Sequence, residues 1–371
     1  MTVSQDFKSV GFCEAGMQRA YGLLQAAVDS GELLGAVLQV SRGGTALPVA
    51  CFGKRQLAPD GAAVIEDTIF LIASITKPIV CAAVVQLVEQ GRLRLDELVA
   101  DIVPEFAEGG KESVTVRHLL THTSGLPDMI PENHAFRAAH EPLAAFVARI
   151  CELDLLFAPG TRISYQSCGI AMLGEIVERL QGRPLPEVLR SAFFDPLGLE
   201  DTALGRLEDR RQREAEIRLP PTSDSGGDGT DWHWNSDYWR NLAAPWGGMF
   251  TTAAELTALC QVFLLGGQVN GTRVLSKAAV TAMTQDQTAV MYSLPESERS
   301  QQRRGLGWQL TNGSLYGDLT SRNTFGHGGA TGTVAWMDPQ TEVTFVLLTN
   351  DPVGVGRLRP TVSNAVAAAV I

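Results

Sequence analysis

Met17, Tyr21, Leu24 and Ala27 recur at helical spacing and Gly31 follows them, so an amphipathic helix is predicted over Phe12–Ser30. Two strand-like runs come next, Ala36–Ser41 and Leu47–Phe52. Arg42-Gly43-Gly44 separates them, which is a hairpin signal. Toward the other terminus, Gly305–Thr311, Thr331–Met337 and Glu342–Asn350 read as three further strands. Asp338-Pro339-Gln340-Thr341 forms a compact turn between the last two and predicts antiparallel pairing. A final helix is expected to begin at Pro360, a residue suited to a first helical turn.

The middle of the chain has a different period. From about Leu95 to Asp201 the signals are helical, as in Thr115–Thr121, Ser167–Gln181 and Leu185–Phe194. Thr252 with Glu255 three residues on predicts a capping box for a helix Thr252–Leu265, ended by Gly266-Gly267. Strands at both ends and helices between them predict an α+β fold, an antiparallel sheet flanked by helices. Residues 1–94 and 246–371 would build a discontinuous sheet domain, with a mostly helical domain, 95–245, inserted. Within it, Thr222–Thr230 (TSDSGGDGT) is a polar, Gly-rich loop in the stretch 220–245. The aromatic cluster Trp232, Trp234, Tyr238 and Trp239 follows, and it can either pack that loop or wall a ligand pocket.

Composition narrows the function without naming it. The 371 residues, 45% hydrophobic and 19% charged, suit a globular enzyme of one large or two medium domains. Lys plus Arg number 30 against 41 Asp plus Glu, a net charge of -11, which argues against a nucleic-acid partner. Met1–Val10 lacks the basic and apolar regions of a secretory signal, and no apolar run approaches the ~20 residues of a membrane span. A cytoplasmic protein without a membrane partner is expected. The six cysteines are scattered, with no C-x-x-C pair, and read as small core residues in a reducing compartment. His118 and His122 stand four apart as zinc ligands can. Leu119 occupies the place where the zinc-hydrolase motif needs Glu, however, so no metal and no cofactor are expected.

The chemistry gathers around Ser74 and Lys77, an S-x-x-K spacing. Three residues apart on a helix share a face, so the amine can reach the hydroxyl. A serine hydroxyl needs an adjacent base to become a nucleophile, and a lysine serves where desolvation or a neighbouring cation favours its neutral form. Pro78 is tolerated only in a first helical turn, so the helix should start close to Ser74 and aim its positive end there. Alone, the spacing also fits an N-terminal cap followed by a solvated lysine.

Four further segments extend the pattern: His118-Leu-Leu-Thr-His-Thr-Ser-Gly-Leu126, Pro159-Gly-Thr-Arg-Ile-Ser-Tyr165, Trp246-Gly-Gly-Met-Phe-Thr-Thr-Ala253 and Phe325-Gly-His-Gly-Gly-Ala-Thr-Gly332. In this order they resemble the serine β-lactamase-like superfamily, in particular its class C and family VIII esterase branch, over roughly Ala27–Asp351. The resemblance implies that Tyr165 joins Lys77 in a proton relay and that His327 sits beside the substrate. It also implies an oxyanion hole at the backbone N–H groups of Ser74 and Ala330, with Gly328 and Gly329 letting a strand edge approach the ligand. By the same resemblance the HLLTHTSGL segment is structural. Ser167 and Trp246 are the remaining candidates for substrate contact.

Two departures tilt the expected substrate. The family's Y-x-N is here Tyr165-Gln166-Ser167, and a serine hydroxyl reaches less far than an asparagine amide. His327 also replaces a lysine that helps hold a substrate carboxylate in many relatives. The expected activity is two-step acyl transfer through Ser74 on small carboxylic esters. The alternatives are a β-lactamase or D-amino-acid peptidase on the same site, and a non-catalytic sensor or scaffold. The oligomeric state is left open.

Overall fold

The computed structural model describes residues 2–220, 229–310 and 313–371. Thr222–Asp228 of the polar loop, and Thr311, lie outside the described residues. The fold is α+β, with an antiparallel sheet flanked by helices. Helix α1, Glu14–Asp29, precedes strand β1, Gly35–Arg42. β1 pairs with β2, Ala50–Gly53, and across its other edge with a strand from the far end of the chain. Those late strands are β5, Phe325–Gly328, β6, Val334–Asp338, and β7, Val343–Thr349, antiparallel neighbours in that order. Thr2–Val3 adds a parallel pairing, to Thr45–Ala46.

Both faces of this sheet are buried, which is why β1 and β7 read as nearly unbroken apolar runs. Ala36, Leu38, Val40, Phe345 and Leu347 face a core beneath α1 and the C-terminal helix α8, Val355–Ala367. Val37, Val346 and Leu348 face the opposite way, into a larger core. That core runs without a break through helix α2, Thr76–Glu89, and α6, Cys168–Gln181, and through α7, Ala253–Leu264. A smaller sheet pairs β3, Phe70–Leu71, with β4, Met249–Thr251. β3 delivers the chain to Ser74.

Several expected elements change in detail. The strand expected over Leu47–Phe52 is interrupted, because Pro48 has no N–H to give the ladder and pairing resumes only at Ala50. Of the run expected over Gly305–Thr311, the described residues 305–310 contribute Gln309–Leu310 to the sheet. α8 begins five residues before Pro360, which sits inside it; burial of Val355 and Leu358 holds the first turn on the sheet. The capping box at Thr252 is half made. Thr252 accepts the Glu255 N–H at 3.3 Å, while the Glu255 carboxylate turns to the Asp201 N–H and the Thr202 hydroxyl. Leu185–Phe194 is an α-turn followed by a wider π-turn over Arg190–Phe194. Among the described residues no helix is long and apolar enough to cross a membrane.

Candidate active site

β3 ends in a tight turn. Ile72 donates to the Met249 carbonyl at 3.0 Å, and Ala73 then adopts φ 46°, a conformation costing a non-glycine residue on the order of 1–2 kcal/mol. A single 3-10 turn, Ala73–Ile75, leads into α2. Thr76 clamps the turn: its hydroxyl donates to the Ala73 carbonyl at 2.6 Å and accepts the Met249 N–H at 3.1 Å. Pro78 is the third residue of α2, in the turn where a missing N–H costs nothing. Ser74 thus stands at the head of a buried helix, as its sequence context implies.

Lys77 is 1% exposed. Its Nζ lies 3.1 Å from Ser74 Oγ, donates to the Trp246 carbonyl at 2.8 Å and sits 4.7 Å from the centre of the Tyr165 ring. The ammonium exchanges its hydration shell for a hydroxyl, a carbonyl and an aromatic face. Tyr165 is held between two imidazoles, His122 at 4.9 Å and His327 at 6.0 Å between ring centres.

These groups open on a cavity of about 240 Å³. Ser74, Lys77, Tyr165, Ser167, Trp246 and Ala330 all line it. Ala330 enters from the turn after β5, where Thr331 and Thr333 donate to the Leu71 and Ile72 carbonyls. A larger surface depression, about 790 Å³, lies beside His140 and Tyr238, and none of the candidate residues lines it.

His327 and Gly328 end β5, and Gly329 follows it. None lines the cavity. His327 is 1% exposed, on a strand paired at both edges, and its ring lies 6.0 Å from that of Tyr165. Its Nδ1 is 2.7 Å from the Gly328 carbonyl, which can only accept, so Nδ1 carries the proton. Burial, then the positive charge of Lys77, pushes its pKa down to about 3, and the ring is neutral. A Cβ on Gly329 would meet Thr333 Oγ1 at 2.1 Å and the Ile72 carbonyl oxygen at 2.3 Å. The missing side chain lets this turn approach the segment before Ser74 closely.

His118 and His122 are structural in geometry. His118 Nδ1 accepts the Thr115 N–H at 3.1 Å while Thr115 caps His118, a capping box opening α3, Val116–Leu120. His122 Nδ1 accepts the Gln166 N–H at 3.3 Å, and burial with the charges of Arg304 and Lys77 holds its pKa well below the usual value. Gln166 is itself buried, with its side-chain oxygen accepting the Ser124 hydroxyl at 2.6 Å. Cys81, Cys168 and Cys260 are buried, and their thiols are pushed up to about 12.

Sequence reasoning missed part of the cavity. Asp128, Met129, Asn133 and Arg137 also line it, the last two from helix α4, Asn133–Ala138. No motif marked them. The aromatic cluster divides between its two readings: Trp234 and Trp239 wall the cavity, whereas Trp232 packs on His134 and Tyr238 stacks on His140 at 4.6 Å. A buried network anchors that wall, with Glu214 bridging Arg206 at 2.9 Å and pairing with Arg240, the neighbour of Trp239.

The beta-lactamase family matches residues 22–368. The chain belongs to the beta-lactamase family. It is accordingly a serine hydrolase. It is 34% identical to penicillin-binding protein 4 of Amycolatopsis lactamdurans over 297 residues, covering 78% of this chain and 74% of that one. Esterase EstB of Burkholderia gladioli is 35% identical over 211 residues, covering 52% and 53%. In three dimensions the chain superposes on a penicillin-binding protein homologue from Caulobacter crescentus with a TM-score of 0.80. That match is 26% identical and covers 96% of this chain and 98% of the other.

Proposed function

We propose that this serine hydrolase acts on small carboxylic esters through a Ser74 acyl-enzyme. The observation that carries the reading is the 3.1 Å contact between Lys77 Nζ and Ser74 Oγ at the wall of a cavity lined by aromatic rings. In its neutral form Lys77 takes the Ser74 proton as Oγ attacks the ester carbonyl. The carbonyl oxygen becomes an oxyanion and accepts from the Ser74 and Ala330 N–H groups, each such donor contributing about 3 kcal/mol. Lys77 and Tyr165 return the proton to the leaving alkoxide, and the alcohol departs. Water then attacks the acyl-enzyme, losing its proton to the same pair, and the acid is released as Ser74 recovers its hydrogen. His327, whose ring lies 6.0 Å from that of Tyr165, acts as a positioning residue for Tyr165.

Esters are favoured over β-lactams and peptides on two grounds. Ser167 offers a short hydroxyl where the family's asparagine would grip an amide, and the neutral His327 brings no charge to that strand. The relatives named penicillin-binding protein and putative D-alanyl-D-alanine carboxypeptidase keep the amide reading as the rival. Fluorophosphonate labelling is expected to modify wild type and spare Ser74→Ala; an unmodified wild type refutes the nucleophile. A nitrophenyl ester series run beside a chromogenic cephalosporin and a D-alanyl dipeptide separates the substrate classes. Turnover confined to the last two would overturn the ester assignment, and rapid labelling without turnover of any substrate would favour a sensor.

A further inference from the structure

The two N–H groups assigned to the oxyanion belong to peptide units whose carbonyls are both tied. The Ser74 N–H shares its peptide with the Ala73 carbonyl, which accepts the Thr76 hydroxyl at 2.6 Å. The Ala330 N–H shares its peptide with the Gly329 carbonyl. That oxygen accepts the Gly332 N–H at 3.1 Å and, from the C-terminal helix α8, Nη1 of Arg359 at 3.4 Å. Nη1 carries a second hydrogen, which it donates to the Thr333 carbonyl at 3.3 Å. The same carbonyl takes the Gly329 N–H at 2.8 Å. One guanidinium nitrogen thus holds both ends of the turn Gly329–Thr333. It lies over Gly328, where a Cβ would stand 3.6 Å from Nη1.

A peptide unit is planar and trans, so its N–H points opposite to its C=O. Fixing the Gly329 carbonyl toward α8 therefore aims the Ala330 N–H away from that helix, and Ala330 lines the Ser74 cavity. No backbone carbonyl among the described residues accepts that N–H. A cation bound to the carbonyl oxygen also draws electron density through the amide and makes its N–H a stronger donor. Arginine keeps its charge at any working pH. Arg359 is half-buried, and among the described residues no carboxylate pairs with it.

We propose that Arg359 is a positioning residue for the reaction: bound to the Gly329 carbonyl, it orients and polarises the peptide whose Ala330 N–H receives the oxyanion. The inference rests on the acyl-transfer reading of Ser74 and on the oxyanion site at Ala330. Acylation and deacylation both pass through that oxyanion, whereas the bound ester does not yet carry its charge. The effect therefore falls on kcat and spares KM. Arg359→Met is expected to lower kcat for a nitrophenyl ester about tenfold, with KM within about twofold of wild type. An arylboronic acid, which adds to Ser74 Oγ as a tetrahedral anion, should bind more weakly by about the same factor. Arg359→Lys, which keeps the charge, should recover more of both than Arg359→Gln, which keeps a donor without it. A folded Arg359→Met with unchanged kcat and boronate affinity overturns the proposal. So does an Arg359→Gln equal to Arg359→Lys, the pattern of a purely structural tie, and this pair decides alone if the Met variant does not fold. Boronate binding that depends on Arg359, in an enzyme that turns over no ester, would sink the ester reading and leave the inference standing. A wild type that neither binds the boronic acid nor turns over an ester would refute the acyl-transfer reading and the inference with it.

Discussion

His327 makes the fold sensitive to acid in a way that can be worked out in advance. The native ring, buried and close to the positive charge of Lys77, stays neutral down to about pH 3, whereas a histidine in the unfolded chain titrates near 6.5. The folded-state value is depressed, so the stabilisation is present above about pH 6.5 and is lost as the pH falls toward 3. Below 6.5 the unfolded chain takes up a proton that the native state refuses. Each pH unit in that window costs about 1.4 kcal/mol, so moving from pH 6.5 to 5 removes about 2 kcal/mol. A native value one unit higher would leave this figure almost unchanged, because at pH 5 the native ring would still be largely unprotonated. The assay is urea unfolding of wild type and His327→Gln at pH 7.5 and pH 5.0. Other titrating groups, His122 included, are common to both proteins and cancel in the difference. Wild type should lose about 2 kcal/mol more than the variant between the two pH values. Equal losses would mean that His327 is solvated or protonated in the native state, and the assignment of a neutral ring behind Tyr165 would fail.

Three other expectations follow from the packing. Lys77→Met, which replaces a buried cation by an apolar side chain of similar length, should reduce kcat/KM by a factor of about 10² to 10⁴ without lowering the melting temperature; a large loss of stability would show that the ammonium is needed by the fold. Glu214→Gln leaves Arg206 and Arg240 buried, their side chains 3% and 4% exposed, and should cost about 3–5 kcal/mol in denaturant unfolding. Gly329→Ala drives a Cβ into the Ile72 carbonyl and Thr333. It should destabilise by about 1–3 kcal/mol and, by shifting Ala330, slow fluorophosphonate labelling of Ser74.

Period and local chemistry were enough for the frame. Alternation and apolar runs marked β1, β6 and β7, and the turn at Asp338–Thr341 joined the last two correctly. Helical spacing and glycine stops marked α1, α6 and α7. Pro78 set the start of α2 close to Ser74, because a proline loses nothing in the first turn and costs a hydrogen bond deeper in a helix. Where the expectation failed, a long-range contact outweighed a local preference. α8 starts early because the sheet buries Val355 and Leu358, and Glu255 abandons its cap because Asp201 and Thr202 come within reach.

The Ser74–Lys77 pair was legible because it is local: Ser74 in the 3-10 turn and Lys77 at the start of α2 are three residues apart on a continuous helical path, which fixes the reach of amine to hydroxyl. The rest of the cavity depends on which faces meet when distant segments pack. Asn133, Arg137, Trp234 and Trp239 carry no motif and are gathered only by tertiary folding. His327 belongs to a motif, yet a strand paired on both edges turned its ring into the core behind Tyr165. Sequence alone determined the family, the strand and helix order and, through short-range covalent constraint, the geometry of the Ser74–Lys77 pair. The tertiary structure decided what surrounds that pair, since burial and charge at a site are sums over residues far apart in the chain.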